Sequence, residues 1–393
     1  MLAIKSVKQN YAPSTEVLEL LEIFRRMVNQ CLVIGLSQNV SSLKSLCLLS
    51  YKELKGYALP SCYKLCAISR AAGILASRKK SLRRGFPTKS PHAVKPLLIS
   101  CYNFKVENGY LRIPMGRKIY ERIPLTNHTA SVLSDKTLRV RSFTLTAHTM
   151  SLCVSKEIDV LMCVGTVGVD RNLRNLTCGD EETVLHYDLS RAVDITDTTS
   201  RILSSFKRND CRVGQKLASK YGRRRRNRTI NLLHNATKSI VERAFENRKA
   251  VVLENIRGIR RLYQKGNWQG RSFRGRMNGW SFGEAQRQIE YKAAWTGLPV
   301  VRLSRRETFG TSSMCPKCGE RLQPDGRQGR CLWCDKCEMW ADRDVVAVVN
   351  ISRRGRLRFD RSKGGAAEAL RGNPTPTVIP GVDASKLTYP AIS

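Results

Sequence analysis

Two cysteine pairs constrain this chain more than any other feature. Cys315-Pro-Lys-Cys318 and Cys334-Asp-Lys-Cys337 are CxxC knuckles separated by 15 residues. Four thiolates at this spacing satisfy a tetrahedral Zn²⁺ and leave no coordination position open, so the site is expected to be structural. Cys331 lies three residues before Cys334 and could take its place as a ligand. The 334/337 pair is the expected one, because it leads straight into Asp342 and Asp344. A closed zinc site has no use for those two carboxylates.

The other nine of the 14 cysteines are scattered. They are expected to be small core residues in a reducing compartment, not a secreted disulfide framework. No signal peptide opens the chain, and runs such as "CLVIGL" and "VLMCVG" are far too short to span a membrane. A cytoplasmic protein with no membrane partner is expected. Lys and Arg total 69 against 32 Asp and Glu, a net charge of +37. A polyanion partner explains that imbalance, and nucleic acid is the commonest one.

The 393 residues suffice for two or three domains. Residues 1–10 read as a strand. Val17, Leu20, Leu21, Phe24, Met27, Val28 and Cys31 have helical spacing after a start at Pro13 and Ser14. A second helix runs through "SCYKLCAISRAAGILASRKKSLRRG" and stops at Gly85. From about 100 to 160, short β runs broken by Gly, Pro and Asn predict a small barrel, with the helices of 11–89 inserted after its first strand. From about 161, apolar strands alternate with helices, which predicts an α/β domain. The boundaries expected are 1–10 and 90–160 for the barrel, 161–304 for the first part of the α/β domain, 305–340 for the zinc ribbon, 341–358 for the second part, and 359–393 for a tail.

Residues 201–280 hold 22 Lys and Arg against 4 Asp and Glu, and residues 1–100 hold 16 against 4. Two separate basic regions suit a long or bipartite nucleic acid better than one short duplex contact. Arg78, Lys79, Lys80, Arg83 and Arg84 end the second helix, where a few cations suit the helix dipole but so many exceed it. Arg223, Arg224, Arg225, Arg226 and Arg228 form the other cluster. Trp268, Trp280 and Trp295 could stack on bases or fill a core, the core being expected for Trp295.

Three carboxylates sit at the ends of buried apolar elements. Asp170 ends the strand "VGTVGVD", Glu254 ends "AVVLE", and Asp344 begins the helix "DVVAVVNISRR". An unpaired charge there is costly. Any one alone is a cap or an ion-pair partner. Three from separate elements can converge on two Mg²⁺ or Mn²⁺ ions, which suit hard carboxylate oxygens and drive phosphodiester cleavage. Asp342 is the rival of Asp344.

"GVDRNLRNLT", "VVLENIRGI", "CPKC…CDKC" and "DRDVVAVVNI", in that order, resemble the TnpB proteins of insertion sequences. "NGWSFGEAQRQIEYKAAWTGLPVVRLSRRETFGTSSMCPKCG" carries the family's aromatic-rich helix and its entry to the ribbon. The resemblance is close over about 160–355, in an archaeal-like variant, and extends to the miniature type V CRISPR effectors. It implies a prokaryotic, nucleoid-associated RNA-guided DNA endonuclease. An RNase H-like RuvC domain would carry Asp170, Glu254 and Asp344 as catalytic acids. The zinc ribbon would bind target nucleic acid. A wedge-like barrel with a helical recognition insertion would read a short motif beside the target. Guide RNA from the transposon end and double-stranded target DNA are the implied partners, with Mg²⁺ or Mn²⁺ and structural Zn²⁺ as cofactors. Monomer and dimer stay open. Two departures from the family pattern are Arg171-Asn172, where a Gly soon follows the first acid, and Val346, where an Asn is common.

Three other functions fit parts of the same sequence. An RNA-guided repressor would keep binding and lose cutting. A CRISPR effector proper would share the core. A guide-free zinc-ribbon accessory protein would need neither two basic regions nor three edge carboxylates.

Overall fold

The computed structural model describes residues 1–116, 118–206, 216–254, 256, 262–266, 268–280, 282–325 and 330–361. The expected tail lies outside them from residue 362 on. The chain forms two compact units, one built on Ile4–Glu157 and one that begins at Ile158 and takes in Met1–Ala3.

The first unit opens with β1 (Leu2–Asn10) and then three helices, α1 (Thr15–Ser37), α2 (Leu43–Ser50) and α3 (Ser61–Arg83). Ser14 caps α1, its hydroxyl accepting from the Val17 amide at 3.3 Å. The apolar stripe read from the sequence, Val17 to Cys31, is buried along its length. The strands β2 (Leu98–Ser100), β3 (Lys105–Glu107), β4 (Tyr110–Pro114) and β5 (Tyr120–Pro124) follow. After them come α4 (Asn127–Leu133), β6 (Arg139–Leu145) and β7 (Thr149–Glu157). Where the sequence pattern predicts one barrel, the strands hydrogen-bond as two sheets, β1-β7-β6-β2 and β3-β4-β5. One hydrophobic core serves both sheets and the helices, with Phe24, Ile68, Leu111, Ile123, Phe143 and Leu152 all sealed from solvent. Tyr63 is part of it and fully buried.

The second unit is a five-stranded sheet covered on both faces. β8 (Gly165–Arg171), β9 (Asn175–Gly179) and β10 (Val184–Asp188) form an antiparallel meander. Helices α5 (Ser190–Ser205) and α6 (Ala218–Glu246) lead to β11 (Lys249–Glu254). Helices α7 (Arg271–Gly279) and α8 (Phe282–Thr296) lead to β12 (Val300–Leu303). The order is β10-β9-β8-β11-β12, and β11 runs parallel to both β8 and β12. Parallel strands buried on two faces read as continuous apolar runs, and "AVVL" is one. A three-stranded ribbon, β13 (Gln323–Pro324), β14 (Cys331–Cys334) and β15 (Met339–Asp342), intervenes before α9 (Arg343–Arg361). Helix α9 extends past residue 358, the expected end of this part.

The two-residue period of the strands sorts the faces. Val167, Val169, Val251 and Leu253 meet α6 and α8, while Val252, Val301 and Leu303 meet Ile351 of α9. Gly168 lets α9 approach: a Cβ there would sit 2.2 Å from the Val348 carbonyl oxygen and 2.9 Å from the Ser352 nitrogen. Backbone cannot rotate away as a side chain does. Gly168→Ala is therefore expected to destabilise the unit by about 1–3 kcal/mol or more through overpacking. Gly165→Ala, whose Cβ would meet only Lys249 at 3.6 Å, should be tolerated. Urea midpoints of the two variants check this, and equal midpoints would contradict the close packing. Among the described residues, no helix is long and apolar enough to cross a membrane.

Candidate active site and metal centre

The ribbon brings Cys315, Cys318, Cys334 and Cys337 together, with all four sulfurs within 4.8 Å of one another. Cys315 and Cys337 are 3.9 Å apart, and Cys318 and Cys334 are 3.5 Å apart. A tetrahedron with Zn–S bonds of about 2.3 Å has edges of about 3.8 Å, so this donor set fits Zn²⁺. Cys331 is not a member of the cluster. Burial raises the Cys315 thiol, but the Cys318 and Lys317 amides, together with the Cys334 and Cys318 thiols, bring it down to about 7, closer to the thiolate a metal requires.

Each knuckle ends on a residue in the left-handed region, Gly319 at φ +77° and Glu338 at φ +47°. A Cβ there carries a steric cost that glycine avoids. Glu338→Gly is expected to stabilise the ribbon by about 1 kcal/mol and to leave zinc content unchanged. Thermal melts and metal analysis of the variant test it. A lower melting temperature would mean that the Glu338 side chain supplies more than its backbone strain costs.

The carboxylates come from the sheet and from α9. β8 and β11 are parallel with Leu253 opposite Val169, so Asp170 and Glu254 leave the same end of adjacent strands. Such strands are about 4.8 Å apart. Burial pushes both carboxyls up from their ordinary values, and for Glu254 the Asp170 charge adds to it. Asp170 accepts from the Arg171 amide at 2.9 Å and from Asn172 Nδ2 at 2.8 Å. Glu254 Oε1 accepts from Thr311 Oγ1 at 3.2 Å.

Asp342 and Asp344 divide their roles. Asp342 is the helix cap: its Oδ1 accepts from the Asp344 amide at 2.8 Å and the Val345 amide at 3.3 Å. Asp344 is 6% exposed in the first turn of α9, and its Oδ2 accepts from Asn175 Nδ2 at 2.9 Å. The β8–β9 turn and the first residue of β9 thus serve two acids, through Asn172 to Asp170 and through Asn175 to Asp344. The guanidinium of Arg330, from the ribbon, also donates to Asp344 Oδ2.

Each carboxylate has its own side-chain partner, and among the described residues only the cysteines form a ligand group within 4.8 Å. Like charges at low dielectric repel, and Asp344 is held by Arg330 instead.

Several residues without an assigned role in the sequence pattern hold this arrangement. Arg171 is 4% exposed, donates to the Glu254 carbonyl and, at 3.0 Å, to Gln286 Oε1. Burial draws it down to about 10, still cationic beside Glu254 and Asp170. An arginine directly after a buried strand acid must find partners, which is the signal its sequence position carries. Asn350 of α9 donates to the carbonyls of Thr311 and Met314 at 2.8 and 2.7 Å. It fixes the turn whose threonine meets Glu254 and whose end enters the first knuckle.

The basic clusters are surface features in different units. Lys79, Lys80, Arg83 and Arg84 are exposed at the end of α3, with Arg78 half-buried. Arg223, Arg224, Arg226 and Arg228 are exposed on α6, with Arg225 half-buried. Trp280 lies in the core, Trp295 is half-buried and Trp268 is fully exposed.

The family model of the Cas12f1-like TNB domain matches residues 282–351, from α8 through the ribbon into α9. A TnpB-like protein of Methanocaldococcus jannaschii is 35% identical over 138 residues, 35% of this chain and 47% of that one. A second from the same organism is 26% identical over 350 residues, 84% and 80% of the two chains. The chain is similar to TnpB-like proteins over most of its length, and the likeness is strongest over a shorter segment. The match to the first relative spans less than half of that protein's length. Two solved structures share the fold. The Cas12f1 of a complex with single-guide RNA and target DNA matches 86% of this chain and 82% of its own, with a TM-score of 0.63 at 16% identity. The mini-RNA-guided endonuclease CRISPR-Cas_phi3 matches 90% and 92%, at 0.53 and 10%.

Proposed function

We propose that this TnpB-like chain is the RNA-guided DNA endonuclease of an insertion sequence, cutting target DNA beside a short adjacent motif. The observation that carries the reading is the placement of Asp170 and Glu254 at the same end of adjacent parallel strands, both carboxyls raised by burial, with Asp344 tied through Asn175 to the start of β9, the strand that follows Asp170. On this reading the second unit is an RNase H-like, RuvC-type nuclease domain. A meander followed by two parallel strands supports it, and the zinc ribbon would be its target-binding insertion. The two sheets of the first unit would be the wedge, and α1–α3 the recognition insertion.

Three hard carboxylates that repel one another suit Mg²⁺ or Mn²⁺. Asp170, Glu254 and Asp344 would hold such ions, which supply an activated water and stabilise charge on the cleaved phosphodiester. The protein's part is to fix the acids. Asn172 and Asn175 orient two of them, Thr311 the third, and Arg171 keeps a cation under the pair on the sheet. Cations on α3 and α6 would neutralise the phosphates of guide and target, since base pairing itself reads the sequence.

One observation favours a second reading, RNA-guided binding without cutting. The exposed Arg330 guanidinium donates to the Asp344 oxygen that a metal would need. The test separates the two. The chain is expressed with its flanking transposon-end DNA, the copurifying RNA is sequenced, and the complex is incubated with a target plasmid library and Mg²⁺. One defined RNA with motif-dependent cutting is the expected result. A defined RNA with motif-dependent binding and no cutting would establish the second reading. No defined RNA would overturn both.

A further inference from the structure

The three-stranded sheet of the first unit carries a row of charge that its core does not require. Val106, Leu111, Ile113 and Ile123 pack inward. The alternate residues face out, and the register sets three cations side by side: Lys105 opposite Arg112, and Arg112 opposite Arg122. Neighbours across strands stand about 5 Å apart, where like charges destabilise a sheet. Glu107 relieves Arg112 at 3.2 Å. Among the described residues, Lys105 and Arg122 make no ion pair. Two rings flank the row on the same face, Tyr110 at 42% and Tyr120 at 48% exposure. The Arg112 guanidinium lies 4.5 Å from the Tyr120 ring centre.

We propose that this face of β3-β4-β5 binds a single-stranded segment of RNA. Its phosphates would lie along Lys105, Arg112 and Arg122, and its unpaired bases on Tyr110 and Tyr120. A polyanion removes the repulsion within the row. Exposed rings beside the cations add what a duplex cannot use, since paired bases hide their faces and unpaired ones stack on aromatics. A strand of RNA presents both features, and RNA is the resident polyanion of the function proposed above. The inference rests on the RNA half of that reading and is independent of cutting.

The test uses the full chain freed of RNA and a fluorescein-labelled 20-nucleotide single-stranded RNA of mixed sequence. In Lys105→Ala/Arg122→Ala, the slope of log affinity against log salt should fall by about 1.4, at about 0.7 for each phosphate no longer neutralised. Tyr110→Ala/Tyr120→Ala should weaken binding about tenfold per ring, and the Tyr→Phe pair should retain it. Ultraviolet crosslinking should attach RNA to the peptide holding Tyr110 or Tyr120. An unchanged slope with no adduct there, while α6 arginine variants lose RNA, would overturn this site and leave the guided-nuclease reading standing. Equal sensitivity of duplex RNA to the tyrosine changes would overturn the stacking. Tighter binding of single-stranded DNA of the same sequence, or full displacement by poly-glutamate, would reassign the face to DNA or to an acidic protein.

Discussion

Asp170→Ala is expected to reduce cleavage of a guide-matched duplex by roughly 10³-fold or more. The metal ions of such a site contribute several kcal/mol to the barrier, and each 1.4 kcal/mol or so is a factor of ten. On the function proposed above, Asp170 would be one of the three acids that hold the ions; it stands at the end of the central strand with Glu254 beside it. Single-turnover cleavage by the RNA-loaded protein measures the effect. RNA affinity should stay within a factor of two, because Asp170 is an anion and neutralises no phosphate. Cutting at close to the parent rate would remove Asp170 from the reaction and the two-metal reading with it.

The same site should cost the metal-free protein stability. Burial raises the carboxyls of Asp170 and Glu254. Proton linkage gives the sign. A carboxyl with a raised folded pKa binds its proton more tightly in the fold. Its contribution is full below the unfolded value, about 4, and is lost as pH rises through the folded value. Glu254→Gln should therefore melt higher than the parent at pH 7 in chelator, by about 1 kcal/mol, the scale at which functional sites trade stability for activity. The gap should close below about pH 4. Mg²⁺ should close it from the other side, by stabilising the parent and not the variant.

How much of this the sequence displays depends on whether a local rule writes it. Thiolate geometry demands CxxC spacing, so the four-cysteine cluster is legible, and the apolar stripe of α1 is legible for the same kind of reason. Asp342 and Asp344 are two residues apart and look alike on paper. Only the backbone of α9 divides them, giving the cap to one and the buried edge to the other. Strand pairing is long-range, which is why the β runs of the first unit suggest a barrel and hydrogen-bond as two sheets. The row of Lys105, Arg112 and Arg122 is hidden in the same way: six and nine residues separate its members, and register alone aligns them. Asn350 has no motif at all. Its role exists only because α9 lies across the turn at Thr311.

Cys334→Ser is expected to remove zinc and lower cleavage by about 10²-fold, although Cys334 touches none of the acids. Apparent zinc-binding free energies of about 10–16 kcal/mol show how much of a small ribbon's order the ion supplies. That order reaches the site through a short chain of contacts. Cys334 pairs with Met339, and β14 holds β15 as far as Asp342. Asp342 caps α9, and the next acid along is Asp344. Loosening the ribbon frees the cap and lets Asp344 drift, and a displacement of about 1 Å is enough for a loss of this size. Cys331→Ser is the control, since Cys331 lies outside the sulfur cluster and should keep both zinc and activity. Metal content and cleavage rate are read on the same preparations. A zinc-free variant that cuts at the parent rate would show that the ribbon does not position Asp344. A Cys331 variant that loses its zinc would mean that Cys331, three residues from Cys334, is the true ligand.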